Sequence, residues 1–333
     1  MTRNATITGV GSALPPLLVP NTWFEDRVDT NDEWIRTRTG IVARHFVEEG
    51  MDTSDLAVEA AKTAMATAAI TPDQLDMIVV ATVTGDTPFP ATGVWTQRKL
   101  GVRCPAFDVN AACAGFSYGL ATATAFVEAG MADTILLIGA EIFSRILDFT
   151  DRATCILFGD GAGAAIIQPS DRAGIEGTIL GADGGAADLL MMPAGGTRHP
   201  ASVETVEARD HSIRMPKGGE VFKRAVTEMA AACRELLEKS GHTPADVDVL
   251  IPHQANARIM LAVAERLHIP AERSILDVAE VGNTSAASIP IALARAWEAG
   301  RIREGDLVLF TSFGAGLTWG ATLVRWTMPE PSR

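Results

Sequence analysis

An α/β protein made of two similar halves is the fold class this sequence predicts. Three observations carry it. Strand-like and helix-like segments alternate along the chain, short motifs recur in one order about half a chain apart, and the apolar residues are mostly small and aliphatic. Hydrophobic residues make up 47% and charged residues 21% of the 333 positions, but aromatics only 6%. That balance supports a sizeable core built from Ala, Val, Ile, Leu and Gly, and it excludes a disordered chain, a collagen-like chain or a small disulfide scaffold.

The recurrence is readable by eye. Thr71–Val79 (TPDQLDMIV) resembles Thr243–Ile251 (TPADVDVLI), 172 residues later. Ala132–Ile138 (ADTILLI) matches Gly305–Thr311 (GDLVLFT) at a spacing of 173. Phe107-Asp108-Val109 matches Leu276-Asp277-Val278 at 169. One such match is weak; three in one order at nearly one spacing indicate a duplicated chain. We place the halves at residues 1–172 and 173–333.

Along the chain, Ala5–Val10 reads as a strand. Asp55–Ala69 reads as a helix, with Leu56, Ala60, Ala64 and Ala68 near one face. Leu75–Val83 reads as a strand, a further strand ends near Val109, and an Ala- and Gly-rich helix follows from Cys113 to Ala129. Thr134–Gly139 is a strand. In the second half we expect helices at Glu220–Ser240, Asn256–Leu267 and Ser285–Glu298, and strands at Val247–Ile251 and Leu307–Phe310. The alternation predicts mostly parallel sheets. Ala182–Met215, rich in Gly and polar residues, reads as a surface excursion and a candidate substrate loop. Residues 329–333 read as a frayed tail.

Four cysteines, at positions 104, 113, 155 and 233, form no CxxC pair and read as reduced thiols. Cys113 has the most distinctive setting, between a strand end and a helix start. Unpaired N–H groups there favour a thiolate and predict a lowered pKa; a buried, inert cysteine is the plain alternative. His253 follows the strand Val247–Ile251, at the end where ligands gather in open α/β sheets. Asn283 precedes a helix, where Asn is ordinarily a cap. Cys113 and Asn283 lie 170 residues apart, which predicts matching places in the two halves and convergence on one site. A thiol, an imidazole and an amide together suggest acyl-thioester chemistry. The run Phe158–Ala164 (FGDGAGA) is followed by a strand rather than a helix, so we read it as a tight turn and not a dinucleotide site. Ser312–Leu317 (SFGAGL) follows a strand and is placed to expose backbone N–H groups to an oxyanion. No spacing points to zinc.

The net charge of −13 argues against nucleic-acid binding by the whole surface. No apolar run approaches the roughly 18 residues of a membrane span, and the first residues lack a signal-peptide core. We expect a cytoplasmic protein without a membrane partner.

Taken in order, the motifs are familiar. Asp32-Glu33-Trp34-Ile35 with Arg38-Thr39-Gly40-Ile41, then Ala111–Phe116 around Cys113, FGDGAGA, His253-Gln254-Ala255-Asn256 and Gly282-Asn283-Thr284-Ser285 resemble the β-ketoacyl-acyl carrier protein synthase III family over essentially the whole chain. The resemblance implies a thiolase-like duplicated fold in five layers, αβαβα. Thiolases carry a second cysteine in the C-terminal glycine loop, which this chain lacks; elongating ketosynthases have a second histidine where Asn283 stands.

The resemblance also implies a reaction. Cys113 takes an acyl group from a short acyl-CoA, acetyl-CoA being the expected primer. Malonyl-acyl carrier protein then decarboxylates against His253 and Asn283, and its carbanion attacks the acyl-cysteine. No metal or redox cofactor is implied. The amides of Cys113 and Ala315 would hold the oxyanion. Trp34, Arg38, Thr39 and Arg152 match the CoA-nucleotide contacts, and Gly218 and Phe222 the pantetheine tunnel. Phe89 matches a residue that, in the family's homodimer, reaches the partner's acyl pocket and shortens it. Arg258, Lys223, Arg224 and Arg266 match the carrier-protein surface. Two departures stand out: Ala315 replaces the middle glycine of its loop, and Glu265 replaces a usual basic residue. A priming ketosynthase or cysteine-dependent acyltransferase of a polyketide pathway would share much of this chemistry; Asn283, where an acid would favour transfer to an alcohol or amine, argues for condensation.

Overall fold

The computed structural model describes residues 3–172 and 174–331. Its strands are β1 (Asn4–Ala13), β2 (Leu17–Pro20), β3 (Ala43–Phe46), β4 (Met77–Ala81), β5 (Ala106–Val109), β6 (Ile135–Glu141), β7 (Gly161–Ser170), β8 (Ile175–Ala182), β9 (Val249–Pro252), β10 (Leu307–Gly314) and β11 (Thr318–Arg325). Its helices are α1 (Asp32–Thr39), α2 (Thr53–Thr67), α3 (Thr92–Leu100), α4 (Gly115–Glu128), α5 (Arg152–Cys155), α6 (Val203–Glu207), α7 (Gly218–Lys239), α8 (Ala257–Leu267), α9 (Val278–Val281) and α10 (Ser288–Glu298).

Two large sheets carry the duplication. One has the order β1-β7-β6-β4-β5 and the other β8-β11-β10-β9, with β2 and β3 as a small separate pair. The second sheet repeats the first: β8 stands for β1, β11 for β7, β10 for β6 and β9 for β4. In place of β5 it has a single parallel bridge between Leu250 and Ser274. The repeated TP segments are the same local structure. Thr71 and Thr243 each open a 3-10 turn with Pro in its first position, closed by a capping box to Gln74 and Asp246.

The sheets are mixed rather than mostly parallel. Parallel pairing is confined to β5–β4–β6 and β9–β10, while β1–β7, β6–β7, β8–β11 and β10–β11 are antiparallel. The β10–β11 link is only residues 315–317, too short for the crossover that parallel strands need. β8 and β11, absent from the predicted elements, are two of these antiparallel strands.

Helices α4 and α10 lie between the sheets; α2 and α3 cover the outer face of one, α7 and α8 the outer side of the other. This gives five layers, αβαβα. The central position of α10 explains its sequence: nine of its eleven residues are buried, as a helix apolar on every side requires. Glycines let it approach the sheet. A Cβ at Gly163 would sit 2.5 Å from the Ile291 nitrogen, and one at Gly139 would sit 2.3 Å from the Ala286 carbonyl oxygen. The predicted tight turn at FGDGAGA is therefore a correction. From Gly161 it is strand β7, and its small residues serve close packing.

The 182–215 excursion contains a 3-10 turn at Gly184–Leu189 and α6, and is clamped by Asp148, which pairs with Arg209 (2.8 Å) and Arg214 (3.4 Å). Of the predicted frayed tail, Pro329 is tied down by the Trp297 indole N–H (3.0 Å); Ser332 and Arg333 lie outside the described residues. Among the described residues no helix is long and apolar enough to cross a membrane. All four cysteines are unpaired.

Candidate active site

Cys113 is the middle residue of a 3-10 turn, Ala112–Ala114, that runs directly into α4. The turn opens with Ala112 at φ 46°, a left-handed conformation costly for a residue with a Cβ. The second half repeats it. Ser285–Ala287 is a 3-10 turn opening at φ 50° and running into α10. This geometry pairs Ala112 with Ser285, Cys113 with Ala286, and Asn110 with Asn283. The expected match of Cys113 with Asn283 is thus displaced by three residues; counting along the chain could not register two turns that only their backbone geometry aligns. The turns still meet at the centre, since a Cβ at Gly115 would lie 3.3 Å from that of Ala286.

Two cavities converge on Cys113. The first, about 510 Å³, is bordered by Cys113, His253 and Asn283 at its inner end, and by Trp34, Arg38 and Arg152 among others. The second, about 390 Å³, is bordered by Cys113, Ser285 and Ala315 and walled by apolar residues including Phe143, Leu190 and Ile213. Leu190, Met191, Met192, Ile213 and Met215 bring the 182–215 excursion to these walls, as expected of a substrate loop. The glycine turn is braced against the Cys113 turn. Thr318 Oγ1 donates to the carbonyls of Ala111 (2.8 Å) and Ala315 (3.1 Å), and a Cβ at Gly314 would sit 2.6 Å from the Cys113 nitrogen.

His253 follows β9 and is buried. Its N–H donates to Thr311 O (2.7 Å), and Nδ1 pairs with Ser288 Oγ at 2.7 Å. Burial drives its pKa down to about 3, so the ring is neutral. Ser288 Oγ accepts from Gln254 N (3.3 Å), so its own proton is the one directed at Nδ1, which assigns the ring's proton to Nε2. Asn283 is pinned by its backbone to the segment before β7, through Asn283 N to Leu157 O (2.9 Å) and Gly159 N to Asn283 O (3.0 Å). Its Oδ1 accepts from Ser285 N (2.9 Å), which leaves the amide NH₂ free to donate. FGDG thus places Asn283, and its Phe158 side chain borders both cavities. Asp160 within it is held by Val47 N (2.9 Å) and by Ser144 N (2.8 Å) and Oγ (2.5 Å).

The expected lowered pKa of Cys113 is overturned. Burial pushes the thiol up to about 12; the nearby Ser285 hydroxyl pulls it down and the charge of Glu141 pushes it up further. Loss of solvent outweighs the short turn at the helix start.

Along the first cavity, the Trp34 ring has two guanidinium groups near it, Arg152 at 4.8 Å and Arg38 at 5.9 Å from the ring centroid. Thr39 borders the cavity, but its hydroxyl is engaged within its own helix end, donating to Ile35 O (2.6 Å) and accepting from Ile41 N (3.0 Å). Gly218 and Phe222, at the start of α7, line the wall, and Arg258 lies 5.6 Å over the Phe222 ring. Lys223 and Arg258 are exposed. Arg224 is taken up by Asp183 (2.8 Å) and Glu220 (3.5 Å), and Arg266 bonds Thr227 Oγ1 (3.2 Å), so the basic surface is weaker than the four residues predicted. Phe89 borders neither cavity and is 85% exposed.

Three residues of the centre carried no role in the sequence reading. Ser288 and Ser285 stand in an ordinary small-residue run, and Glu141 ends an apolar strand. The one available signal is a lone acid at the end of a buried strand, which needs partners.

The chain matches two family models, "3-Oxoacyl-[acyl-carrier-protein (ACP)] synthase III" over residues 107–184 and "3-Oxoacyl-[acyl-carrier-protein (ACP)] synthase III C terminal" over residues 237–326. It is 50% identical to the β-ketoacyl-[acyl-carrier-protein] synthase III of Caldanaerobacter subterraneus subsp. tengcongensis, covering 97% of this chain and 98% of the relative. It is 47% identical to β-ketoacyl-[acyl-carrier-protein] synthase III 3 of Streptomyces coelicolor, covering 99% and 100%. The crystal structure of 3-oxoacyl-(acyl carrier protein) synthase III from Pseudomonas aeruginosa PAO1 superposes with a TM-score of 0.91 at 42% identity, covering 99% and 100%. With its duplicated fold and motifs matched over nearly its full length, the chain belongs to the β-ketoacyl-[acyl-carrier-protein] synthase III family of thiolase-like condensing enzymes.

Proposed function

We propose that the chain performs its family's initiating condensation, of a short acyl-CoA with malonyl-acyl carrier protein, with Cys113, His253 and Asn283 as the reacting-site groups. One arrangement supports this above all. Cys113 borders both cavities, whereas His253 and Asn283 border only the first. A thioester entering the first cavity meets the thiol end-on, and its acyl group has the second to occupy.

In the first stage Cys113 Sγ attacks the acyl-CoA carbonyl, the amides of Cys113 and Ala315 hold the oxyanion, and CoA leaves as its thiolate. Trp34, Arg38 and Arg152 serve the CoA nucleotide by stacking and charge-assisted bonds, with Thr39 offering its methyl side. Gly218 and Phe222 flank the pantetheine. In the second stage the malonyl thioester carbonyl accepts from neutral His253 Nε2 and from the Asn283 amide. These two donors stabilise the enolate formed as CO₂ departs. The enolate carbon attacks the acyl-cysteine, giving 3-ketoacyl-acyl carrier protein and regenerating the thiol. Decarboxylation supplies the driving force, so the reading calls for no metal or redox cofactor.

An acetyl-sized primer follows if Phe89 enters the partner's acyl cavity in a homodimer; its exposure within one chain supports this. Residues 1–172 and 173–333 act as the two halves, the first bringing the nucleophile and the second the two donors. Arg258 and Lys223 are the residues left for an acidic carrier protein, and the cytoplasm is the compartment the reading implies.

Intact-mass measurement after incubation with acetyl-CoA and longer acyl-CoAs tests the reading. A gain of one acyl group, absent in Cys113→Ala and lost on adding malonyl-acyl carrier protein, is the expected result. Absence of acylation by every acyl-CoA overturns it.

A further inference from the structure

The reaction needs a place for the proton of the Cys113 thiol. Burial leaves His253 too weak a base to hold it, with a pKa of about 3. On the other side of Cys113 lies Ser285. Its hydroxyl is buried and makes no hydrogen bond among the described residues; Ser285 borders the second cavity beside Cys113, its turn packs on β6, which Glu141 ends, and it acts on the pKa of both groups. A buried hydroxyl without a settled partner requires a reason. Ser285 is also held in place, with its φ of 50° and its N–H bonded to Asn283 Oδ1 (2.9 Å).

Glu141 ends β6, is fully buried and has no cation paired with it among the described residues. Its Oε2 is crowded, accepting from Thr82 Oγ1 (3.2 Å), Val83 N (3.2 Å), Thr84 N (3.1 Å) and Thr84 Oγ1 (2.5 Å). Its Oε1 accepts only from Val83 N (3.3 Å), so lone-pair capacity remains there.

We propose that Glu141 receives the Cys113 proton through Ser285. The S–H bond breaks and its proton passes to Ser285 Oγ, while the Ser285 hydroxyl proton passes to the Glu141 carboxylate. A thiol and a carboxylate become a thiolate and a neutral acid, with no change in total charge. When condensation releases the acyl group and restores the thiolate, the proton returns by the same path. The proton taken up by departing CoA comes from solvent. Burial raises the Glu141 carboxyl to about 7, near the value at which a base works best at neutral pH. The groups packed on it are the end of β4 and the residues after it (Thr82, Val83, Thr84), Gly161 of β7, and the two buried turns. Of these only Cys113 titrates. The other charged side chains on neighbouring segments are engaged elsewhere: Asp86 with Ser54, Asp160 with Val47 and Ser144, and Arg145 with Met51.

The proposal rests on Cys113 as the nucleophile, but its test does not use turnover. Alkylation of Cys113 by iodoacetamide, followed by peptide mass from pH 6 to 9, is measured for the wild type, Glu141→Gln, Ser285→Ala and the double variant. The wild-type rate is expected to level off above pH ~7. Each single variant is expected to lose that plateau and react on the order of a hundredfold more slowly at neutral pH, and the double variant no more slowly still. A role as a mere neighbouring charge predicts the reverse, since Glu141→Gln would then ease thiolate formation and speed alkylation; that result, or an unchanged profile in Ser285→Ala, overturns the relay. If Glu141→Gln does not fold, Ser285→Ala decides alone. Acylation of wild-type Cys113 alongside an unchanged alkylation profile would defeat the relay and leave the nucleophile standing.

Discussion

At the residue scale, the site works by withholding solvent from groups that are then told apart by their hydrogen bonds. His253 and Cys113 are both buried, and burial moves each toward its neutral form, one down and the other up. In the proposed mechanism His253 donates to the malonyl carbonyl, and the contact that fits the ring for this is Ser288 on Nδ1. Ser288→Ala is therefore expected to leave acylation by acyl-CoA intact and to slow the condensation stage on the order of tenfold, the value of one lost hydrogen bond of about 1.4 kcal/mol. Separate single-turnover rates for the two stages check this. Equal slowing of both would place Ser288 in general packing instead. Arg44 belongs to the same scale. Its guanidinium is fully buried and bonds the carbonyls of Val19 and Ile156 and the Asn21 side chain, and its Cβ bounds the space beside Gly159 and Gly282 that flank Asn283. Nothing in its sequence neighbourhood marks it out.

At the element scale, the reactive turns are held by how closely α4 and α10 approach the sheets. The glycines of β6 and β7 set that distance. In Gly163→Ala the new methyl would meet the Pro290–Ile291 backbone at 2.5–2.6 Å, which cannot yield as a flexible side chain would. We expect a loss of about 1–3 kcal/mol in stability, read as a lower urea midpoint with an unchanged slope. Activity at saturating substrate should fall as well, because α10 carries Ser288. Helices with one wet face were the easiest to read. α7 and α8 show clear apolar stripes, and their predicted limits fall within two residues of the observed ones. The helix predicted from Ser285 instead begins at Ser288, and that predicted from Cys113 begins at Gly115. In both cases a strained 3-10 turn stands where propensity sees only small residues. β8 and β11 mix polar and apolar residues without strict alternation, and β8 pairs with a strand distant in sequence.

At the scale of the whole molecule, burial at the centre makes stability depend on pH. The folded state holds His253 neutral down to about 3, while the unfolded chain binds its proton near 6.5. Between those values the unfolded state carries more protons, so stability falls as pH drops from 6.5 toward 3. Glu141 has the opposite sign: its contribution is complete below 4.5 and fades as pH rises through about 7. His253→Gln is expected to lose less stability between pH 6.5 and 5 than the wild type, as measured by thermal midpoints in matched buffers; a steeper loss in the variant would contradict the assignment. The duplication governs the layout. Each half supplies a strand end and a buried turn, and Cys113 meets the second half both where the turns touch and at the end of β10, where Gly314 packs against its backbone.

The sequence by itself determined the fold class and the duplication, and it singled out Cys113, His253 and Asn283, which the structure brings to one cavity. These rest on local periodicity, on repeated segments and on ordered motifs, all of which are linear properties. Only the tertiary structure decided that Asn110, not Cys113, is the counterpart of Asn283. It also decided that burial raises rather than lowers the thiol pKa, that two of the four predicted carrier-side cations are engaged with acidic neighbours or a threonine hydroxyl, and that Glu141 and Ser285 stand behind Cys113. The physical reason is common to all of these. Desolvation, hydrogen-bond partners and turn geometry depend on which distant segments pack together, and Glu141 and Ser285, 144 positions apart in the chain, become neighbours only when the two halves close around their central helices.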